Sequence, residues 1–180
     1  GRSVPDTALL FFSGHGLRKD FGKIQEGFLA TSEASPKSGV RGLSVKWLRE
    51  LLIQSEVRQQ VIWLDCCYSG EILNFTEADP GDRGKGRDRC FIAASREFEK
   101  AYEETGGNHG VLTGVLLKAL DPSQRPDGIV TNLTLTDFIS RALKNKIQKP
   151  VFTSSGSPII LTQWDQPGEQ SKKAADGVCP

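Results

Sequence analysis

The sequence has no methionine, and its first residue is Gly1. As written it cannot begin at an initiator residue, so it is expected to be a fragment, a processed product or an excised domain. No apolar run approaches the roughly 20 residues that a membrane-spanning helix needs, and the start carries no signal-peptide pattern. Neither sign of charge dominates. Lys and Arg number 23 against 22 Asp and Glu, a net +1, so no global field argues for nucleic acid or a membrane surface as partner. The four cysteines, Cys66, Cys67, Cys90 and Cys179, include no Cys-x-x-Cys pair, which argues against a thiol redox site. Adjacent Cys66 and Cys67 make a poor disulfide pair, and the set does not resemble a secreted framework, so a reducing, cytoplasmic setting is expected. There is no internal repeat.

What is there suffices for one globular domain with a real core, at 180 residues. Two stretches share one form. Val61-Ile62-Trp63-Leu64 is an apolar run that ends in Asp65-Cys66-Cys67-Tyr68-Ser69-Gly70. Ala8-Leu9-Leu10-Phe11-Phe12 is another, ending in Ser13-Gly14-His15-Gly16. Runs that are apolar on both faces read as buried strands. Cys90-Phe91-Ile92-Ala93-Ala94-Ser95 and Pro158-Ile159-Ile160-Leu161-Thr162 read as further strands, and residues 27–31 as one arm of a hairpin. Residues 17–26, 32–42 and 76–89 read as polar or charged loops, and a short helix is expected to open at Glu71-Ile72-Leu73.

Helical spacing joins Trp47, Leu48, Leu51 and Leu52 behind a Ser44 cap. It also joins Val111, Leu112, Val115, Leu116 and Leu120 in a helix over residues 109–120. A third helix, with Phe138, Ile139 and Leu143 inward, has Thr134 or Thr136 as its cap. Strands alternating with helices predict an α/β layer structure with a mostly parallel sheet. Residues 165–180 read as a flexible tail.

In an open parallel sheet, function collects at the carboxyl ends of the strands. A histidine and a cysteine delivered to one such edge suggest a thiol nucleophile and its base. His15 precedes Cys67 by 52 positions, close to the spacing of about 50 in caspases. Together, Ser13-Gly14-His15-Gly16 and Asp65-Cys66-Cys67-Tyr68-Ser69-Gly70 resemble the caspase-like (clan CD) cysteine peptidases, closest to metacaspases and bacterial orthocaspases. The later segments Ile92-Ala93-Ala94-Ser95, Ala101-Tyr102-Glu103 and His109-Gly110-Val111-Leu112-Thr113 extend the likeness over about residues 6–162.

The resemblance implies a three-layer α-β-α sandwich of the caspase-haemoglobinase type, lacking its first strand and helix. The domain would run over 1–164, with a large-subunit-like part at about 1–80 and a small-subunit-like part at about 90–164. It implies Cys67 as nucleophile, His15 as base, and the backbone amides of Gly16 and Cys67 as oxyanion donors. Cys66 falls on the variable position of the motif, where a buried small apolar residue is the plain reading. Cys90 has the same plain reading, Cys179 is a bystander in the tail, and His109 is structural at a helix start.

Asp65 stands two residues before the nucleophile, where animal caspases have glutamine. A carboxylate there favours a guanidinium or ammonium partner, and in metacaspases this acid resembles the one that binds the basic residue before the scissile bond. Substrates are thus expected to be proteins or peptides cut after Arg or Lys. The plain alternative is that Asp65 holds local loop amides. Ser95 and Tyr102 are candidate cleft residues, with a strand end and partial core as their plain alternatives.

Arg83, Lys85, Arg87 and Arg89 lie in the 81–90 loop, where caspase-like enzymes separate their subunits. They are candidate self-cleavage points of a zymogen, or else a solvated charged run. No cofactor is required and no metal ligand set is expected. Calcium is a possible activator through the resemblance, although no EF-hand spacing is present and Glu77, Asp79 and Asp82 form only a weak acidic cluster. Expected partners also include the missing N-terminal segment or other domains of the same chain. The competing reading is a signalling or scaffold module of the same fold with little catalysis.

Overall fold

The computed structural model describes residues 4–22, 24–35, 37, 39, 42–66, 86–94, 109–146 and 148–164. Its centre is a four-stranded sheet in the order β1 (Thr7–Ser13), β5 (Gln59–Asp65), β6 (Asp88–Ala93) and β8 (Val151–Ser155). β1 with β5 and β5 with β6 are parallel, and β8 closes the far side antiparallel to β6. The molecule is therefore mixed α/β with a mostly parallel main sheet. No helix among the described residues is long and apolar enough to cross a membrane.

Helices cover both faces of this sheet. On one face, Ile62, Leu64, Phe91 and Ala93 pack with Leu48 and Leu52 of α1 (Val45–Gln54). On the other, Val61, Trp63, Cys90 and Ile92 pack with Leu112 and Leu116 of α2 (Val111–Ala119) and with Leu135 and Ile139 of α3 (Asn132–Ala142). This explains the composition of β5 and β6. A strand covered on both sides has no solvent face, so it reads as a continuous apolar run rather than an alternating one. β1 is different. Ala8, Leu10 and Phe12 are half-buried, while Leu9 and Phe11 are 56% and 46% exposed. No described strand pairs with its other edge.

Two smaller sheets flank the centre. β2 (Gly16–Phe21) and β3 (Ile24–Leu29) form an antiparallel hairpin extended by β4 (Leu43–Ser44). β7 (Ile129–Thr131) pairs antiparallel with β9 (Ile160–Gln163).

The hairpin corrects the expected loop at 17–26. β2 and the start of β3 are mostly polar, so hydrophobic alternation does not announce them, and the ladder of backbone hydrogen bonds supplies the order instead. β7 and β8 are likewise strands without a long apolar run, and the final strand begins at Ile160 rather than Pro158.

Helix starts follow local capping chemistry. Ser44 accepts from the Trp47 amide at 3.1 Å, as its residue type led one to expect. The inward face of α1 is Val45, Leu48 and Leu52; Trp47 and Leu51 are exposed. α3 is capped by Thr131 rather than by Thr134 or Thr136. Thr131 and Thr134 bond reciprocally, with Thr134 N–H to Thr131 Oγ1 at 3.3 Å and Thr131 N–H to Thr134 Oγ1 at 2.9 Å. This is a capping box with a second threonine in place of the usual acid or amide.

The opposite, amino-terminal end of the sheet is tied by buried polar groups. Gln60 donates to the Leu52 carbonyl at 2.8 Å and accepts from Arg89 Nε at 3.1 Å. Arg87 donates to the Ile53 carbonyl at 2.7 Å. These bonds occupy carbonyls of the last turn of α1, which the helix itself leaves unsatisfied. Asp88 accepts from the Ser157 amide at 2.7 Å. A methyl group on Gly156, whose φ is +82°, would meet the Asp88 carboxylate at 2.4 Å.

Phe91 is fully buried in the central sheet. Phe91→Ala is expected to lower stability by about 3–5 kcal/mol, since it removes an aromatic ring from a site that cannot fully collapse. Urea unfolding should show a reduced midpoint with an unchanged slope.

Candidate active site at the carboxyl ends of β1 and β5

The parallel pairing of β1 and β5 runs in register from Thr7 opposite Gln59 to Ser13 opposite Asp65. The two strands therefore end together. The Gly14 amide continues the ladder by donating to the Asp65 carbonyl at 3.3 Å. His15 follows, with an exposed side chain, and its carbonyl accepts from the Ala30 amide at 2.9 Å. That bond pins the histidine turn to the base of the β2–β3 hairpin. Gly16 starts β2 opposite Leu29. The His turn is thus held on two sides, by the central sheet and by the hairpin.

Asp65 closes β5 with 5% of its surface exposed. Its Oδ2 accepts from the Thr113 amide at 2.9 Å and from the Thr113 hydroxyl at 2.5 Å. Thr113 lies in the first turn of α2, whose cap residue Gly110 has no side chain to offer. The Asp65 carboxylate fills that role from a different strand, 48 positions away in sequence. An anion at a helix start also meets the positive end of the helix dipole. The approach is close enough to exclude any side chain at position 110, where a methyl group would sit 2.3 Å from Oδ2. The plain alternative for Asp65 holds in kind, since the carboxylate binds a backbone amide, but that amide belongs to a helix start distant in sequence and not to a local loop.

Cys66 is buried at 1% exposure in the core on the α1 face, with Leu48, Leu52 and Leu64. That is the environment of an apolar filler. Cys90 is buried on the other face. Burial pushes its thiol from 9.0 up to about 11, and the Trp63 side chain offsets only part of this. Cys67, Ser95, Tyr102, Arg83 and Lys85 lie outside the described residues, as do the acids Glu77, Asp79 and Asp82, the short helix expected from Glu71, and Cys179.

Arg87 and Arg89 do not belong to an open loop. Strand β6 begins at Asp88, and the two arginines are 8% and 6% exposed with their guanidinium groups bonded to Ile53 and Gln60. A protease must draw both the side chain and the extended backbone of its cleavage residue into its cleft, so these two are corrected as cleavage points. The described structure therefore brings the His15 turn and Asp65 to one edge of one sheet, and the start of α2 joins them there. In the sequence, Thr113 and Gly110 stand out only within the 109–113 segment of the resemblance, not as site residues. A threonine three positions after a cap glycine reads simply as the first turn of a helix.

No protein-family model matches this sequence, and no curated protein matches it.

A thiol this strongly protonated is a poor nucleophile. With its value raised to about 11, Cys90 holds almost no thiolate at pH 7.5. Iodoacetamide at that pH is expected to label Cys90 in the folded protein about 100-fold or more slowly than in urea, a rate set by thiolate fraction and access together. Peptide mapping by mass spectrometry checks this, and equal rates in the two conditions would contradict it.

Proposed function

We propose that the protein is a cysteine endopeptidase of the caspase-like type that cleaves after Arg or Lys, using Cys67 as nucleophile and His15 as base. One observation carries the reading. The in-register parallel pairing of Ser13 with Asp65 ends β1 and β5 at the same sheet edge, next to the His15 turn. Cys67 follows Asp65 by two residues, a chain reach of no more than about 7 Å. The fit of the fold supports the same reading. A mostly parallel sheet with helices on both faces is compatible with the three-layer caspase-haemoglobinase sandwich.

In the proposed mechanism, His15 takes the Cys67 proton and the thiolate attacks the substrate carbonyl. The amides of Gly16 and Cys67 stabilise the oxyanion. Collapse of the tetrahedral intermediate breaks the peptide bond, and the histidine gives its proton to the leaving amine. Water then attacks the thioester, releases the acid and restores the thiol. Asp65 recognises the basic side chain before the scissile bond, with Ser95 and Tyr102 as further cleft residues. If the chain processes itself, Arg83 and Lys85 are the positions to examine. No cofactor enters the chemistry, and calcium is proposed only as an activator.

The test is hydrolysis of fluorogenic peptides ending in Arg, Lys or Asp, with calcium and with chelator. Turnover of the Arg and Lys peptides but not the Asp peptide is expected. Cys67→Ala and His15→Ala should each lower kcat/KM by about a thousandfold or more, since members of a catalytic unit fail together. Silence toward every peptide in both conditions, or activity retained in Cys67→Ala, would overturn the proposal.

A further inference from the structure

We infer that Thr113 is the positioning residue for the Asp65 carboxylate, and that it sets the recognition of the basic substrate side chain. The inference rests on the proposal that Asp65 is the specificity acid. Three observations meet at this point. Both described bonds to the carboxylate fall on one oxygen, Oδ2, from the amide and the hydroxyl of the same residue. No described residue donates to Oδ1. Gly110 leaves no side chain between the carboxylate and the helix start, and a methyl there would overlap it at 2.3 Å.

A carboxylate gripped through one oxygen by two donors is fixed in a single rotamer while its other oxygen still has lone pairs to offer. A buried acid needs that grip, because burying its charge without partners is costly. A cation arriving at Oδ1 then meets an acceptor that is already oriented, and binding need not order it. Without the Thr113 hydroxyl, Oδ2 keeps one donor in place of two and the acid is free to turn. Thr113 touches no reacting atom. It acts through Asp65, on the affinity for a basic side chain and not on thiol chemistry.

The experiment compares the wild-type protein with Thr113→Val, which keeps the shape and the amide, and Thr113→Ser, which keeps the hydroxyl. Each is assayed for kcat and KM on an Arg peptide, and for the rate at which iodoacetamide alkylates Cys67. Iodoacetamide is small and neutral, so it reports the dyad without using the specificity acid.

The expected result is a KM for Thr113→Val raised about tenfold, the scale of one hydrogen bond to a charged group. Its alkylation rate should stay within about twofold of wild type, the margin set by an unchanged thiolate fraction. Thr113→Ser should match wild type in both. An unchanged KM in Thr113→Val overturns the inference and leaves the peptidase proposal standing. A parallel loss of kcat and Cys67 alkylation in Thr113→Val also overturns it, since a general loosening of the fold would do the same. Absence of turnover by the wild type overturns the peptidase proposal and the inference with it.

Discussion

The pairing of β1 with β5 is the constraint on which the rest of the structure depends. It is parallel, so neither a tight turn nor a hairpin can make it. The chain must leave Ser13, build the β2–β3–β4 sheet and α1, and return at Gln59 before the first ladder bond forms. Everything between the two strands is therefore packed to suit one register. A slip of one residue would turn Ile62 and Leu64 from the α1 side to the side of α2 and α3. It would also end the strands at different heights, separating the His15 turn from Asp65. Core packing and site geometry are thus fixed by the same ladder.

The polar groups at the other end of the sheet hold this register from below. Gln60, Arg87 and Asp88 connect β5 and β6 to the end of α1 and to the turn before Ile159. Charged groups taken out of water are tolerated only when partners replace the lost solvent. Here the partners are helix-end carbonyls and a loop amide, groups that need partners themselves. One end of the sheet is closed by structural polarity. At the other, His15 remains exposed.

Much of the centre was legible in the sequence, because burial on both faces writes an unbroken apolar run. β5 and β6 have such runs, β1 has an equally apolar one although Leu9 and Phe11 stay exposed, and α2 and α3 show their inward stripes at helical spacing. β2 is Gly-Leu-Arg-Lys-Asp-Phe and carries almost no apolar signal, since a flanking hairpin needs backbone pairing more than a core. β8 follows a proline and holds only two apolar residues. Its antiparallel place beside β6 is set by the sheet it closes.

Arg87 and Arg89 misled for a physical reason. A run of charges normally marks a solvated loop, and nothing local reveals that Ile53 and Gln60 wait to receive them. The acid at the end of β5 was legible as a residue of interest. Its partner was not, because the contact joins positions 65 and 113, and only the assembled fold brings α2 there.

The meeting of Asp65, Gly110 and Thr113 has a consequence for how this chain can change. The three positions form one unit, and interacting neighbours do not contribute additively. A side chain at 110 has no room while an acid stands at 65, and an apolar residue at 65 would leave the Thr113 hydroxyl and the cap amide without their acceptor. Sequence drift through this corner must therefore pass through poorly packed intermediates or alter several positions at once. Libraries that vary one site at a time would score each step as a loss and miss the combinations that fit. Redesign of this end of the sheet has to treat residues 65, 110 and 113 as a single variable.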